Sequence, residues 1–334
     1  MKISILDQTP ITEGESCKQA IDNTLELAKQ ADKLGYYRFW VSEHHNTSSF
    51  ASPVPEIMIP SLASVTSRIR VGSGGVMIGH YSPFKIAEQF NMLENLFPQR
   101  IDLGLGRASG ADQATIEALE SGIFRRDPFD KMLELISLIE KSMISSRQNN
   151  VKAMPSIESK PEFWILGTSP DSARFAAKHG LSYSFAAFIN DTHCMEALQI
   201  YHQHFTPSRY LDAPYVNLAV FALCADSEEK AKDLAKSAEL WGVRTFLRGK
   251  RGPFPKNQEA QNAVFQPQEL MFLQHRRASI CVGSPQQVKT KLEELTKKLC
   301  LNELTIITIT PEFKDRLESY RLLSQIYDLQ SGIK

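Results

Sequence analysis

Four short segments of this chain of 334 residues carry residue types that could do chemistry, and each follows an apolar run. They are Glu43-His44-His45-Asn46, Gly72-Ser73-Gly74-Gly75, Gly104-Leu105-Gly106-Arg107 and Gly167-Thr168-Ser169. Arg107 offers a planar, permanent cation suited to phosphate, and the glycines before it let a ligand come close to the backbone. Gly167–Ser172 leads into a helix opened by Pro170. Free backbone N–H groups and the helix dipole favour an anion there, and the hydroxyls of Thr168, Ser169 and Ser172 add donors. The plain alternatives are helix capping by Ser169 or Asp171 and an ion pair between Arg107 and Asp102 or Asp112. Together, an arginine and a helix opening at two strand ends point to a phosphate-bearing cofactor.

The remaining candidates have similar pairs of readings. Three glycines within Gly72–Gly75 weaken a strand, either to lay a flat ring against the backbone or to kink a barrel strand for packing. Successive strand residues face opposite ways, so His44 and His45 make a poor two-histidine metal site. One of these imidazoles near a reacting centre would serve as acid, base or donor close to neutral pH; otherwise it caps a strand end. Glu88 either reaches the same mouth from its helix or is a solvated acid. Trp241 is a ligand wall or core.

The elements that must position these groups follow from periodicity. Strands are predicted at Lys2–Gln8, Tyr37–Glu43, Ile69–Ile78, Ile101–Gly106, Phe163–Leu166, Leu181–Phe188, Val216–Cys224 and Leu304–Ile309. Helices are predicted between them at 17–34, 55–67, 83–97, 128–145, 170–179, 192–205 and 227–247, with a last one at 313–329. Eight strands, each followed by a helix, argue for an α/β fold, a TIM (β/α)8 barrel in a single domain over 1–334. Arg248–Arg277, rich in Gln, Pro, Gly and charge, breaks the rhythm before a further helix at 284–298. The span 248–298 reads as an insertion between strands seven and eight, serving as a lid. A doubly wound open sheet would want a Gly-rich turn after the first strand, where Asp7-Gln8-Thr9-Pro10 stands instead. Phe39, Phe50, Tyr81, Phe185 and Phe188 fall near strand ends and suggest a partly apolar mouth.

Composition narrows the function classes. The 38 basic and 38 acidic residues cancel, which leaves no basic field for nucleic acid or for a membrane surface. Five scattered cysteines with no CxxC pair read as free thiols in a reducing compartment. No run approaches a transmembrane length, and no apolar leader opens the chain. The expectation is a cytoplasmic protein without a metal.

In order and spacing, four motifs resemble the bacterial luciferase-like flavin monooxygenases. These are Phe39–Asn46, Arg68–Gly75, Pro83-Phe-Lys-Ile-Ala-Glu-Gln89 and Arg100–Arg107. Phe163–Ser169, Asp212–Tyr215 and Cys281–Pro285 extend the likeness over nearly the whole chain, within the non-luminescent branch. The resemblance implies a barrel, usually a homodimer, that binds FMN non-covalently. Reduced FMN, supplied by a separate flavin reductase using NAD(P)H, would react with O2 to oxygenate a small organic substrate. It makes His44 the catalytic residue beside the flavin and puts a cis peptide at Gly74–Gly75. The implied cofactor-binding set is Glu43, Gly74, Gly75, Glu88, Arg107, Gly167, Thr168, Ser169 and Trp241, with the phosphate at Arg107. The chain departs from the pattern in having Ser109 where proline is expected. A second phosphate arginine has no clear counterpart, Arg125 and Arg126 being the candidates. The alternatives are hydride transfer with a deazaflavin, which would consume no oxygen, and a non-catalytic FMN-binding protein.

Overall fold

The computed structural model describes residues 1–107, 111–120, 126–143 and 151–332; Ser109 and Arg125 lie outside these. Nine parallel strands form the sheet: β1 Lys2–Asp7, β2 Arg38–Val41, β3 Arg70–Met77, β4 Ile101–Gly106, β5 Glu162–Gly167, β6 Ser182–Ala186, β7 Val216–Cys224, β8 Cys281–Gly283 and β9 Glu303–Ile307. β1 through β7 pair in sequence, and β9 joins β7 to β1. Eight strands therefore close into a parallel barrel. β8 pairs only with the last three residues of β7 and stays outside the ring.

Barrel strands are covered on both faces, so they read as nearly continuous apolar runs, and the two faces bury against different things. Ile3, Ile5, Phe39, Val41, Leu103, Leu105, Phe163 and Ile165 pack outward under the helices. Their neighbours Leu6, Trp40, Trp164, Ala219 and Ile307 form a separate cluster inside the ring. Phe39 and Phe185 belong to the outer layer, so they are core and not mouth, as period-two alternation requires. The helices are closed by ordinary devices. The Ser16 side chain accepts from Gln19 N at 3.1 Å, and Gly35 ends the helix Cys17–Leu34 at φ 88°. A Cβ at Gly35 would stand 2.4 Å from Leu329 O.

The N-terminal end of the barrel is plugged by charge. Arg38, buried in the lumen, pairs with Asp102 at 2.7 Å, Glu303 at 2.8 Å and Glu162 at 3.0 Å. Asp102 also takes Arg70 at 2.7 Å and the Trp40 indole N–H at 2.9 Å. Asp102 is therefore committed here and is no partner for Arg107.

The insertion after β7 is more structured than its composition suggests. It holds the helices Asn257–Gln261 and Pro267–Ser279 as well as β8. Gln266-Pro267-Gln-Glu269 is a capping box with proline at the first turn, a start signal written in the sequence but masked by the polar stretch around it. The loop expected before residue 128 likewise contains the helix Gln113–Leu119, capped by Asp112. Elsewhere the predicted elements stand with their ends shifted by a few residues, as fraying ends do.

Candidate functional site

A cavity of about 410 Å³ opens at the C-terminal ends of the strands, within the range for small-molecule sites. Its walls are largely apolar, with Leu6 and Trp40 on one side and Leu166 and Phe188 on another. Gly74 and Gly75 form part of the lining, and the peptide between them is cis. A Cβ at Gly74 would meet Leu6 Cδ1 at 2.8 Å, and one at Gly75 would meet Gly104 O at 2.7 Å. Only bare backbone fits between these neighbours, so the wall there is flat. Pairing between β3 and β4 slips at this point, between Ser73 and Val76.

One end of the cavity is polar. Arg107, just past β4, and Gly167, Thr168 and Ser169, at the end of β5, all line it. Arg107 Nη2 donates to Ser169 Oγ at 2.8 Å, and the guanidinium lies over the Phe129 ring at 4.5 Å. Phe129 in turn stacks on Phe175 at 4.3 Å, so the arginine is held in place by a ring as well as a hydroxyl. Asp112 pairs with Arg251 at 3.0 Å, so it too leaves Arg107 free for a ligand. Ser169 caps the helix Pro170–Lys178, so its Oγ accepts both from Ser172 N and from Arg107. Arg126 pairs with Glu134 and is not among the residues of this cavity. Gly167 is required by its neighbour: a Cβ there would lie 2.0 Å from Ser172 Oγ and 2.5 Å from Ser172 Cβ. Gly167→Ala is expected to cost about 1–3 kcal/mol of stability through this overlap. Adding Ser172→Gly should recover most of the loss, measured by urea unfolding; equal midpoints for the single and double variants would refute the overlap.

His44 and His45 diverge as alternation demands. His45 Nε2 meets Glu43 Oε1 at 2.7 Å, and that carboxylate also accepts from Tyr81 OH at 2.8 Å. Its other oxygen accepts from Met77 N at 2.9 Å. Glu43, fully buried, thus ties the end of β2 to β3 and to Tyr81. It does not line the cavity. His44 stacks on Phe50 at 4.6 Å, and its Nε2 lies 2.9 Å from Gln8 Nε2. Burial, partly offset by Glu43, pushes the His44 pKa down to about 4, so the ring is neutral near pH 7. Close by, burial pushes Glu56 up to about 7, with Glu43 adding to the rise.

The depressed value predicts a pH effect on stability. The unfolded chain binds the His44 proton below about pH 6.5, the folded chain only below about 4. Acidification across that window therefore destabilises the native state, by at most about 3 kcal/mol. Glu56 acts the other way, losing native-state stability as pH rises from its unfolded value of 4.5 toward 7. A His44→Gln variant should show a smaller loss between pH 6.5 and 4.5 than the parent; parallel urea midpoints across that range would remove the effect.

The structure does not bring every predicted residue to the cavity: His44, stacked on Phe50, is not among the residues that line it. Trp241 stacks on Phe254 at 4.7 Å and stands edge-on to Phe50 at 5.8 Å, its indole N–H donating to Ser49 Oγ and Gly252 O, both at 3.1 Å. It is one layer behind the site, in the aromatic group that backs His44. Glu88 faces a different groove, with Glu56, Ile57, Lys85 and Met92 between two outer helices. Glu88 stands five residues after Pro83, which opens the helix Pro83–Leu96, and sequence spacing alone does not reveal which way that face turns. Segment 252–254 is fastened across the loop after β1: Phe254 N donates to Ile11 O at 2.8 Å and Phe254 O accepts from Glu13 N at 2.9 Å. Further residues at the site without a sequence signal are Phe129 beneath Arg107, Met77 and Ser184 in the lining, and Gln8 at His44. Gln8 directly follows β1, and a lone amide there carries no sequence signal. Among the described residues, no cluster of His, Cys, Asp and Glu could hold a metal ion, and no helix is long and apolar enough to cross a membrane.

Comparison with known proteins agrees with this geometry. The profile of the luciferase-like monooxygenase family matches residues 1–301. The N-acetyl-S-alkylcysteine monooxygenase of Bacillus subtilis (strain 168) is 33% identical over 333 residues, covering 97% of each chain. The crystal structure of apo-MsnO8 is 34% identical, with a TM-score of 0.90 over 98% of each chain. The oxygenating constituent of 3,6-diketocamphane monooxygenase from Pseudomonas putida, in complex with FMN, shares the fold at 18% identity and a TM-score of 0.70 over 97% of each chain. Motifs, barrel and relatives converge: the chain belongs to the luciferase-like monooxygenase family.

Proposed function

We propose that this chain is the oxygenating component of a flavin-dependent monooxygenase that receives reduced FMN from a separate reductase and uses O2 on a small organic substrate. The observation that carries the reading is a single cavity with a flat, side-chain-free wall at Gly74–Gly75 and a guanidinium–hydroxyl pair, Arg107 and Ser169, at its polar end. A planar ring and a terminal phosphate fit these two features respectively, and the FMN complex on the same fold supports the choice. When bound, the flavin supplies the electrons that reduce O2.

The chain's own residues do the rest. Arg107 and the N–H groups opening helix Pro170–Lys178 hold the anion. Trp40, Leu166 and Phe188 keep the cavity apolar and exclude water. His44, neutral at working pH, holds a single ring proton that it can donate as a hydrogen bond. The insertion 248–298, anchored at Phe254, covers this side of the barrel as a lid. Glu43 and Trp241 support the site from behind, through Met77 and Phe50, and Glu88 is dropped from the binding set. A homodimer is proposed from the family resemblance.

The direct test is anaerobic titration with photoreduced FMN, followed by rapid mixing with O2. Protein-bound flavin is expected to reoxidise at a rate distinct from that of free flavin. Traces identical to free FMN at every protein concentration would overturn the reading. Once a substrate is found, His44→Ala should lower the ratio of product to O2 consumed by about 100-fold, the low end for loss of an acid–base group. Unchanged coupling and turnover would remove His44 from the mechanism.

A further inference from the structure

Gln8 directly follows β1 and is buried, and among the described residues the one ring it contacts by hydrogen bonding is His44. The contact runs from the Gln8 amide nitrogen to His44 Nε2 at 2.9 Å. An amide NH2 can only donate, so Nε2 must be the unprotonated nitrogen that accepts. The single proton of the neutral ring then sits on Nδ1. Nδ1 has no hydrogen-bond partner among the described residues. The ring is also held in plane by Phe50, stacked at 4.6 Å and 26° and itself wedged against Trp241 and Phe254. Tautomer and orientation are therefore set by two different neighbours, as occurs where a histidine has one job to do.

We propose that Gln8 is a positioning residue for His44: its amide donates to Nε2, locks the ring as the Nδ1–H tautomer and leaves Nδ1–H as the ring's one hydrogen-bond donor. The inference rests on the reading of His44 as the acid–base residue only for its use, not for its existence. The same arrangement opposes the imidazolium, because a protonated Nε2 would face the Gln8 NH2. The charged and titratable groups acting on the ring are Glu43 and His45. Both flank it in sequence and are tied to each other, so Gln8 alone selects between its two nitrogens.

The test reads the tautomer without flavin, oxygen or turnover, so it can fail independently of the proposed activity. Protein labelled with 15N at histidine, free of ligand at pH 7, is examined by long-range 1H–15N correlation, and the His44 pattern is assigned by its loss in His44→Gln. The expected pattern is Nδ1 protonated and Nε2 bare. In Gln8→Leu, with the donor gone and volume kept, the ring should move toward Nε2–H, the form that predominates in free histidine, while the other histidine patterns stay in place. A parent ring protonated at Nε2 overturns the proposal, and so does a Gln8→Leu ring that keeps the Nδ1–H form. If Gln8→Leu does not fold, the parent spectrum decides.

Discussion

Replacing Arg107 with alanine should weaken FMN binding by about 10- to 100-fold while leaving riboflavin affinity nearly unchanged. The guanidinium stands at the polar end of the cavity, held by Ser169 Oγ at 2.8 Å and by the Phe129 ring. Hydrogen bonds to a charged partner are worth about 1.5–3 kcal/mol each, and about 1.4 kcal/mol is a tenfold change in affinity. Riboflavin lacks the phosphate, so it separates loss of this bond from collapse of the pocket. Fluorescence titration of both ligands against parent and variant is the measurement. An equal loss for both would mean that Arg107 shapes the cavity instead of holding the anion. An FMN affinity in the variant equal to the parent's would remove the anion site from the proposal.

The largest effect on stability is expected at the opposite end of the barrel. Asp102→Ala leaves Arg38 and Arg70 without their shared buried carboxylate. Removing one partner of a buried pair costs about 3–5 kcal/mol, because the remaining charge has no water to turn to. Glu162 contacts the same two arginines at 3.0 and 3.3 Å, but its side chain is 43% exposed. Glu162→Ala should therefore cost no more than about 1 kcal/mol. Urea unfolding of both variants compares the same cation with a buried and a wet partner. Equal midpoints would show that burial does not set the value of this network.

The two ends of the barrel were not equally legible in the sequence. Arg107, Gly167, Thr168 and Ser169 announce themselves because glycine, arginine and hydroxyls at a strand end are unusual in an apolar context. The cavity brings all four together. The plug at the other end was invisible: Arg38, Asp102 and Glu303 sit at strand starts, where a charge looks like an ordinary solvated boundary. Only closure of the ring turns them into buried partners. Glu88 lines another groove for the related reason that a helix angle decides which face meets the mouth. Gln8 carries no signal in the sequence because a lone amide has no pattern until its neighbour is known.

What the sequence determined by itself is local. Strand and helix periods, the glycines that admit no side chain, the capping residues and the order of motifs are all properties of neighbours along the chain, and with them came the barrel and the family. What only the tertiary structure decided is convergence across strands. Parallel strands far apart in sequence are set side by side by register, and a slip of one residue turns every side chain to the other face. That register places Arg107 on Ser169, brings His44 to Gln8 and seals Arg38 inside. Burial and partner, and with them charge state, follow from the closed ring and not from residue type.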